Sequence, residues 1–235
     1  MKDSFGDRMK QYEDSYRFKL PARMPVIIRL DGKSFHNYTK KCNKPYDDSI
    51  INCMRLTAKK LCEEISDVKV AFTQSDEISL LIINYTNLNT KAWFDNNIQK
   101  MASVSASIAS VTFTSLSVNI FGFTKQAYFD ARTFILPKEE VNNYFVWRQK
   151  DCIRNSISAA AQSQFSSQQL NGKSTAKMKE MLLSKNVDWD NFSNKYRNGS
   201  TVVKKENANG RFKWTIDEET PVFSLNKDYI NKHVI

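Results

Sequence analysis

The segment Val26-Ile-Ile-Arg-Leu-Asp-Gly-Lys-Ser-Phe-His36 changes abruptly from an apolar run to a loop of small and polar residues. Its first half has the β-branched, almost continuous apolar composition of a strand that is covered on both faces. Gly32 marks a place where the backbone turns tightly or approaches another group closely. The sequence therefore predicts a buried strand that delivers the carboxylate of Asp31 to a loop.

A second acidic segment, Ser75-Asp76-Glu77, lies between two strand-like segments at residues 68–72 and 78–83. Strands this close along the chain predict a β-hairpin. Between the first strand and the hairpin, apolar residues of segment 51–65 recur at steps of three and four, which predicts a helix that packs on a sheet through one stripe. Asp47 precedes this helix and has the chemistry of an N-cap.

The remaining segments complete a recognisable order of elements. An N-terminal helix is predicted at residues 5–18, and a long helix at 91–116 with Phe94, Met101 and Val111 among its core residues. A strand at 127–135 and a helix from Pro137 to about residue 165 follow. The order strand, helix, strand, strand, helix, strand is that of an α+β, ferredoxin-like antiparallel sheet with packed helices.

The tail, residues 166–235, is predicted as a small appended subdomain that forms one compact unit with the catalytic domain at residues 1–165. It contains a helix at 174–185 and two short strands near 201–203 and 212–216. Around the second strand, Phe212 and Trp214 alternate with Arg211 and Lys213, so these two basic side chains share one face. That face could follow an RNA backbone, although charged outer faces are usual on any small sheet.

The predicted topology brings the two acidic segments together. The first and third strands are central antiparallel neighbours, so the end of one lies beside the beginning of the other. Asp31 and Asp76 then converge, and divalent cations relieve their repulsion best. Oxygen ligands favour Mg²⁺, and two such ions would form the clamp used in nucleotidyl transfer, with the Gly32 carbonyl in the shell. Taken singly, each acidic segment also fits ordinary turn chemistry.

Composition sets the broad class. The 235 residues carry 35 Lys plus Arg against 25 Asp plus Glu, a formal charge of +10, which favours a polyanionic partner such as nucleic acid as strongly as it favours a merely basic surface. Four cysteines without CxxC spacing, and two histidines, offer no zinc site and indicate reduced thiols. We expect a cytoplasmic protein without a membrane span, since no signal peptide or run of roughly 20 apolar residues is evident.

Five motifs carry a specific resemblance: Arg29-Leu-Asp-Gly-Lys-Ser-Phe-His36, Lys44-Pro-Tyr-Asp47, Gln74-Ser-Asp-Glu77, Phe129-Asp-Ala-Arg132 and Trp147-Arg-Gln-Lys-Asp151. In order and spacing they resemble the tRNA(His) guanylyltransferase superfamily, whose enzymes add nucleotides in the 3′-to-5′ direction. The resemblance covers most of the chain. It implies a polymerase-like palm, two Mg²⁺ ions, a tRNA substrate, ATP and GTP as nucleotide substrates, and a homotetramer built as a dimer of dimers.

The resemblance also implies roles for individual residues. Asp31, the Gly32 carbonyl and Asp76 are the implied metal ligands, and Glu77 is a supporting catalytic residue beside them. The implied nucleotide-binding residues are Lys33, Ser34, Phe35, His36, Lys44, Asp47, Ser75, Asn97 and Lys100. Residues implied to bind RNA or to support the site are Arg132, Arg148, Gln149, Asp151, Asn155, Lys204 and Arg211. Without the resemblance, the sequence indicates only an exposed helix lysine at Lys100 and a turn residue at His36.

One departure from the family pattern concerns the branch. The dedicated guanylyltransferases carry a His-Ile-Asn-Asn-Leu-Tyr-Asn-Thr segment, whereas here Asp151-Cys152 is followed by Ile153-Arg-Asn-Ser-Ile-Ser-Ala-Ala160, in which only Asn155 clearly matches. The sequence is more similar to the guanylyltransferase-like branch, which repairs 5′-truncated tRNAs by template-dependent addition. Asn97 also stands where many relatives have arginine.

The function predicted from these observations is Mg²⁺-dependent 3′-to-5′ nucleotide addition to the 5′ end of tRNA, with G addition to tRNA(His) as a further activity. The RNA end would be activated by ATP or would already carry a triphosphate. A nucleotide cyclase or dinucleotide synthase can share the palm and its paired aspartates. A non-catalytic RNA-binding module is the alternative from another class.

Overall fold

A computed structural model describes residues 4–122, 124–207 and 209–234. The strands are β1 (Val26–Gly32), β2 (Val68–Gln74), β3 (Glu77–Ile82), β4 (Phe129–Ile135), β5 (Ser200–Glu206) and β6 (Phe212–Asp217). The helices are α1 (Ser4–Asp14), α2 (Phe35–Tyr38), α3 (Asp48–Glu64), α4 (Ile98–Phe121), α5 (Lys138–Gln162), α6 (Ser167–Leu170), α7 (Thr175–Leu183), α8 (Asn194–Arg197) and α9 (Asp228–Asn231). Short 3₁₀ turns occur at Trp93–Asn96 and Trp189–Asn191.

The strands of the described ranges form one six-stranded sheet in the order β4-β1-β3-β2-β5-β6, with every neighbouring pair antiparallel. The first four strands have the ferredoxin-like order, so the predicted fold class is confirmed. The apolar run in β1 reflects its central position. Val26, Ile27 and Ile28 are all fully buried because a helical layer covers each face of the sheet.

Alternation along the strands divides the core into two layers. One face of the sheet carries Ile28 and Leu30 and packs against α3 and α4, whose Leu61 and Phe113 belong to the same cluster. The opposite face packs against α5 and the C-terminal segment, through residues such as Ile27, Phe72, Phe145 and Phe223. The helix predicted after the Asp47 cap is α3, and Asp47 accepts hydrogen bonds from the N–H groups of Ser49 and Ile50.

The tail is joined to the central sheet more closely than the prediction of an appended subdomain implies. Strand β5 pairs with β2 over Val70–Thr73, so both tail strands extend the sheet of the first 165 residues. Residues 166–192 instead form a small helical cap, whose Leu170, Leu182 and Trp189 pack against Ile157 near the end of α5. The predicted boundary at residue 165 therefore does not separate the tail strands β5 and β6 from the sheet of the first 165 residues.

Helices α4 and α1 differ from their predicted bounds. Helix α4 begins at Ile98 rather than residue 91, because Phe94, Asp95 and Asn96 have φ values of 50–57°, outside the right-handed helical region. Its buried side chains follow steps of four from Met101, so Val111 is 67% exposed and the predicted core face is wrong there. Helix α1 ends at Asp14 instead of residue 18 and has no buried residue.

By length and composition alone, α4 is long and apolar enough to cross a membrane, with 22% of its apolar window buried. The expectation that no segment approaches a membrane span is wrong in this respect. In the fold, α4 lies on β1 and β4 and beside α3. Ser110 Oγ accepts a hydrogen bond of 3.0 Å from the N–H of Phe129, which joins this helix directly to β4.

Candidate active site

Asp31 and Asp76 meet at one end of the sheet, as the topology predicts. In the β1–β3 ladder Asp31 is paired with Glu77, and the N–H of Gly32 donates to the carbonyl of Asp76 over 3.1 Å. Burial raises the pKa of the Asp76 carboxyl, and the negative charge of Asp31 raises it further. Two acidic residues that are 45 positions apart in the sequence are therefore close enough for their charges to repel each other.

The donors at this point suit a hard cation. Neither Asp31 nor Asp76 forms an ion pair within the part of the chain that the structure describes, and Ser75 Oγ donates to Asp76 over 3.1 Å. The described residues contain no group of three or more His, Cys, Asp or Glu side chains arranged to hold a metal. Two carboxylates and the Gly32 carbonyl fit Mg²⁺, which typically takes its remaining ligands from water and substrate phosphates.

Glu77 has a different environment from the two aspartates. Its two oxygens accept hydrogen bonds from Nε and one terminal nitrogen of Arg148, each at 2.7 Å, and both side chains are 7% exposed. Arg148 also pairs with Asp151 over 2.9 Å. Burial raises the pKa of Glu77, while the Arg148 guanidinium acts in the opposite direction. Arg148 therefore fixes the position of the Glu77 carboxylate and balances its charge, and this ion pair joins β3 to α5.

A cavity of about 420 Å³ opens beside Asp76. Segment 35–47, the start of α3, the end of β2, the middle of α5 and the segment around Tyr196 line it. Among the predicted site residues, the lining includes Phe35, His36, Lys44, Asp47, Ser75, Asp76 and Asn155. Its volume is within the range of cavities that hold small ligands. The cavity therefore has room for a small ligand beside the Asp76 carboxylate.

Comparison with known proteins agrees with this geometry. The family model described as "Thg1: tRNAHis guanylyltransferase" matches residues 6–137, which is more than half of the chain. The chain belongs to the tRNA(His) guanylyltransferase family. It is therefore a nucleotidyltransferase, and the predicted family and enzyme class are confirmed.

Several relatives of the family can be compared directly. A bacterial tRNA(His) guanylyltransferase (Thg1)-like protein in complex with ATP is 43% identical, with a TM-score of 0.94 and 99% of both chains covered. The one in complex with GTP is 41% identical, with a TM-score of 0.86 and the same coverage. A probable tRNA(His) guanylyltransferase of Dictyostelium discoideum is 30% identical, over 77% of this chain and 75% of its own.

The wall of the cavity contains residues that no role was predicted for. Tyr46 stacks on Tyr196 with ring centroids 4.6 Å apart, and its hydroxyl donates to the carbonyl of Ser156 over 2.8 Å. Trp189 Nε1 donates to Ser156 Oγ over 3.0 Å, so the helical cap of the tail supports the same wall. Tyr46 lies inside one of the family motifs, whereas Ser156 and Tyr196 give no comparable signal in the sequence.

The loop after β1 is shaped by aromatic packing. Phe35 is buried among Tyr38, Phe113 and Phe129, with centroid distances of 5.0–5.2 Å. Lys33 and Ser34 precede it on the exposed surface beside Asp31, and they do not line the cavity. Asp47 does line the cavity, but its carboxylate accepts hydrogen bonds from the N–H groups of Asn43, Ser49 and Ile50. These bonds hold Asp47 as the cap of α3.

Within one chain, Asn97 and Lys100 lie at the other end of the sheet from Asp31, so they do not reach this chain's carboxylates and their role in nucleotide binding stays a prediction. Asn97 caps α4 by accepting the N–H of Lys100, and Asn84, just beyond the end of β3, bonds to the neighbouring Asn96. Ser110 is the α4 residue that reaches β4 near Asp31. The 13 positions from Asn97 to Ser110 span about 20 Å of helix.

Three further predicted residues are also placed away from the carboxylates. The amide of Gln149 binds backbone groups of Asn198, Pro221 and Phe223, so it fastens the tail to α5. Lys204 lies over the Trp214 ring at 5.1 Å near the end of β5, and Arg211 directly precedes β6. Because the beginning of β5 pairs with the end of β2, these two basic residues lie towards the opposite end of the sheet from Asp76.

Proposed function

We propose that this chain adds nucleotides in the 3′-to-5′ direction to the 5′ end of tRNA, with Mg²⁺ as the required metal. The observation that carries the proposal is the unneutralised pair of Asp31 and Asp76 at the mouth of a nucleotide-sized cavity. Related bacterial proteins bind ATP and GTP, which supports nucleoside triphosphates as substrates. The formal charge of +10 favours a polyanionic acceptor.

The reaction joins the incoming nucleotide to the RNA end. The 3′ hydroxyl oxygen of the nucleotide bonds to the activated 5′ phosphorus, pyrophosphate or AMP leaves with the electron pair, and the hydroxyl proton passes to solvent. Asp31, Asp76 and the Gly32 carbonyl would hold Mg²⁺, which supplies a lower pKa for that hydroxyl and charge stabilisation at phosphorus. Arg148 and Glu77 keep β3 in position against α5.

The cavity residues position the nucleotide. His36 and Lys44 line the cavity close to the carboxylates and supply groups for the phosphates and the base. Tyr46 and Tyr196 form a stacked aromatic wall that limits the cavity on the side of the tail. The enzyme therefore has a rigid, partly apolar compartment for the nucleotide and an open side for the RNA end.

The substrate branch is tested with labelled nucleotides. We expect the purified enzyme to extend a 5′-truncated tRNA by the nucleotides that its opposite strand specifies, with Mg²⁺ and not with a chelator. Addition of a single untemplated G to tRNA(His) alone would contradict the repair assignment. Consumption of nucleoside triphosphate without RNA would instead support a cyclase or dinucleotide synthase, and RNA binding without incorporation would support a binding module.

Assembly and location complete the proposal. The exposed side of α4, which includes Val111, supports a homotetramer in which copies of the chain cover this apolar helix. Light scattering in solution measures the mass directly, and a monomer would contradict it. The four cysteines are unpaired, with Cys53, Cys62 and Cys152 buried, which supports a reducing compartment such as the cytoplasm.

A further inference from the structure

A second surface lies beside the carboxylates, on the flank of the sheet away from the cavity. The cavity is lined by segment 35–47, α3, the end of β2, the middle of α5 and the tail, and its strand residues come from β2 and β5, on the β5 side of Asp76. On the other side, towards the edge strand β4, Arg29 and Arg132 lie on the sheet face that α5 covers, and Arg29 lies over Trp147 of α5; we call these three residues the Trp147 patch. Arg29 lies two residues before Asp31 in β1, so the patch is next to the carboxylates.

The patch contains a like-charge pair. Arg29 and Arg132 are directly opposite in the β1–β4 ladder, so both side chains lie on the same face. Like charges in this arrangement are destabilising unless a partner neutralises them. Arg132 is 56% exposed and reaches Asp130 only at 3.7 Å, and the Nε of Arg29 is buried without a hydrogen-bond partner among the described residues. The charge of Arg29 lowers the pKa of Glu77, but both Glu77 oxygens are bound by Arg148, so the Nε donor of Arg29 remains available to an anion.

Trp147 supplies an aromatic surface at the same place. Its side chain is 53% exposed. The Tyr144 ring packs against the Trp147 ring with centroids 5.9 Å apart, and the Arg148 guanidinium lies 4.3 Å from the Trp147 centroid. The guanidinium of Arg29 lies 6.0 Å from the ring centroid. An exposed aromatic ring flanked by guanidinium groups is a platform on which nucleobases stack, while the positive charges follow the phosphates.

Both substrates of the proposed reaction must reach Asp31 and Asp76. A nucleotide in the cavity approaches the carboxylates from the β2 side, so the RNA end has to approach from elsewhere. We propose that the Trp147 patch binds the 5′ end of the RNA acceptor, with a terminal base stacked on Trp147 and backbone phosphates on Arg29 and Arg132. This inference rests on the proposed function and names the surface that the acceptor uses.

The test compares Trp147→Ala, Trp147→Phe and Arg132→Ala with the unmodified enzyme. Base stacking of about 1–3 kcal/mol predicts that Trp147→Ala raises the Kd and KM for a truncated tRNA by about 5- to 150-fold. Trp147→Phe restores most of the affinity, because the stacking surface remains. Loss of one phosphate contact in Arg132→Ala lowers the slope of log Kd against log salt by about 0.7–0.9. The affinity for ATP stays unchanged in all three variants.

Tyr16→Ala is the matched control, because Tyr16 is 68% exposed and lies in the segment after α1, on the chain leading to the far end of the sheet. RNA affinity equal in Trp147→Ala and the unmodified enzyme overturns the inference, as does a parallel loss of ATP affinity. A change of oligomeric mass in Trp147→Ala, with normal RNA affinity in the altered form, would show that a second copy covers the patch. Direct RNA binding decides these points even if no nucleotide is incorporated, which would refute only the proposed function.

Crosslinking places the RNA independently. A truncated tRNA carrying 4-thiouridine as its first nucleotide should crosslink, on irradiation, to the α5 peptide that contains Trp147. Crosslinks confined to the β5–β6 hairpin would overturn the assignment, since that hairpin carries the other basic and aromatic surface, including Lys204 and Phe212.

Discussion

Arg148→Ala tests whether the Glu77 ion pair holds the active end of the sheet together. The substitution leaves the Glu77 carboxylate, 7% exposed, without the guanidinium that now binds both of its oxygens at 2.7 Å. Removing one partner of a buried pair costs about 3–5 kcal/mol, because the remaining charge is left unpaired. In a chain of this size each 1 kcal/mol lowers Tm by about 2–4 °C, so we expect a decrease of about 6–20 °C.

The assay is urea or thermal unfolding followed by circular dichroism. Arg154→Ala is the matched control, because Arg154 pairs with the same Asp151 but its side chain is 63% exposed. An exposed pair contributes about 0–1 kcal/mol, so the control should unfold close to the unmodified protein. Adding Glu77→Gln to Arg148→Ala should recover part of the lost stability, since the unpaired charge is then gone. A loss below about 1 kcal/mol in Arg148→Ala, or no recovery in the double variant, would refute the reasoning.

Three further predictions concern the site itself. Gly32→Ala places a Cβ 2.6–2.7 Å from ring carbons of Phe35, so we expect a loss of about 1–3 kcal/mol in urea unfolding together with reduced incorporation; normal stability would contradict the packing argument. Asp76→Asn removes the repulsion with Asp31, so thermal unfolding in a chelator should show no loss of Tm, while the Mg²⁺-induced rise in Tm and nucleotide incorporation disappear. Persistence of either would exclude Asp76 as a ligand. Tyr46→Phe deletes the hydroxyl bonded to Ser156 at 2.8 Å, which should cost about 1 kcal/mol of stability and raise KM for the nucleotide several-fold; an unchanged KM would mean that this wall does not position the nucleotide.

The convergence of Asp31 and Asp76 could be predicted because it depends on patterns that are local in the sequence. The apolar run before Asp31 and the hairpin around Asp76 each identify a strand end, and the order of elements fixes which ends are neighbours. The cavity wall was not predictable in the same way. Ser156 and Tyr196 reach Tyr46 across more than 100 residues, and nothing in their immediate sequence indicates that contact.

The distance between Asn97 and Lys100 and the carboxylates has a topological cause. Strand β3 begins beside Asp31 and ends with Ile82 paired to Val26, at the opposite end of the sheet. The helix that follows must therefore start at that far end and run back towards β4, which begins beside Gly32. The predicted order of elements already required this direction, whereas the roles taken from the family resemblance did not account for it.

The tail strands show a different limit of sequence reasoning. Both strands could be predicted from their own residues, but pairing of β5 with β2 joins segments about 130 residues apart. Edge pairing over that distance leaves no local pattern, because backbone groups rather than particular side chains form the ladder. The close packing of Gly199 against Phe72, with φ of +77° at the glycine, is the structural mark of that junction.

Asp31, Asp76 and Glu77 differ in how their charge is balanced, and their positions in the strands and the turn explain the difference. Glu77 is the first residue of β3 and points to α5, where Arg148 neutralises it. Asp76 lies in the turn, and Asp31 adds to the burial that raises its pKa. A chain selected only for stability would gain by replacing either aspartate with a neutral residue. The remaining repulsion is the kind that a bound cation offsets, which is why the proposed chemistry belongs to Asp31 and Asp76 and not to Glu77.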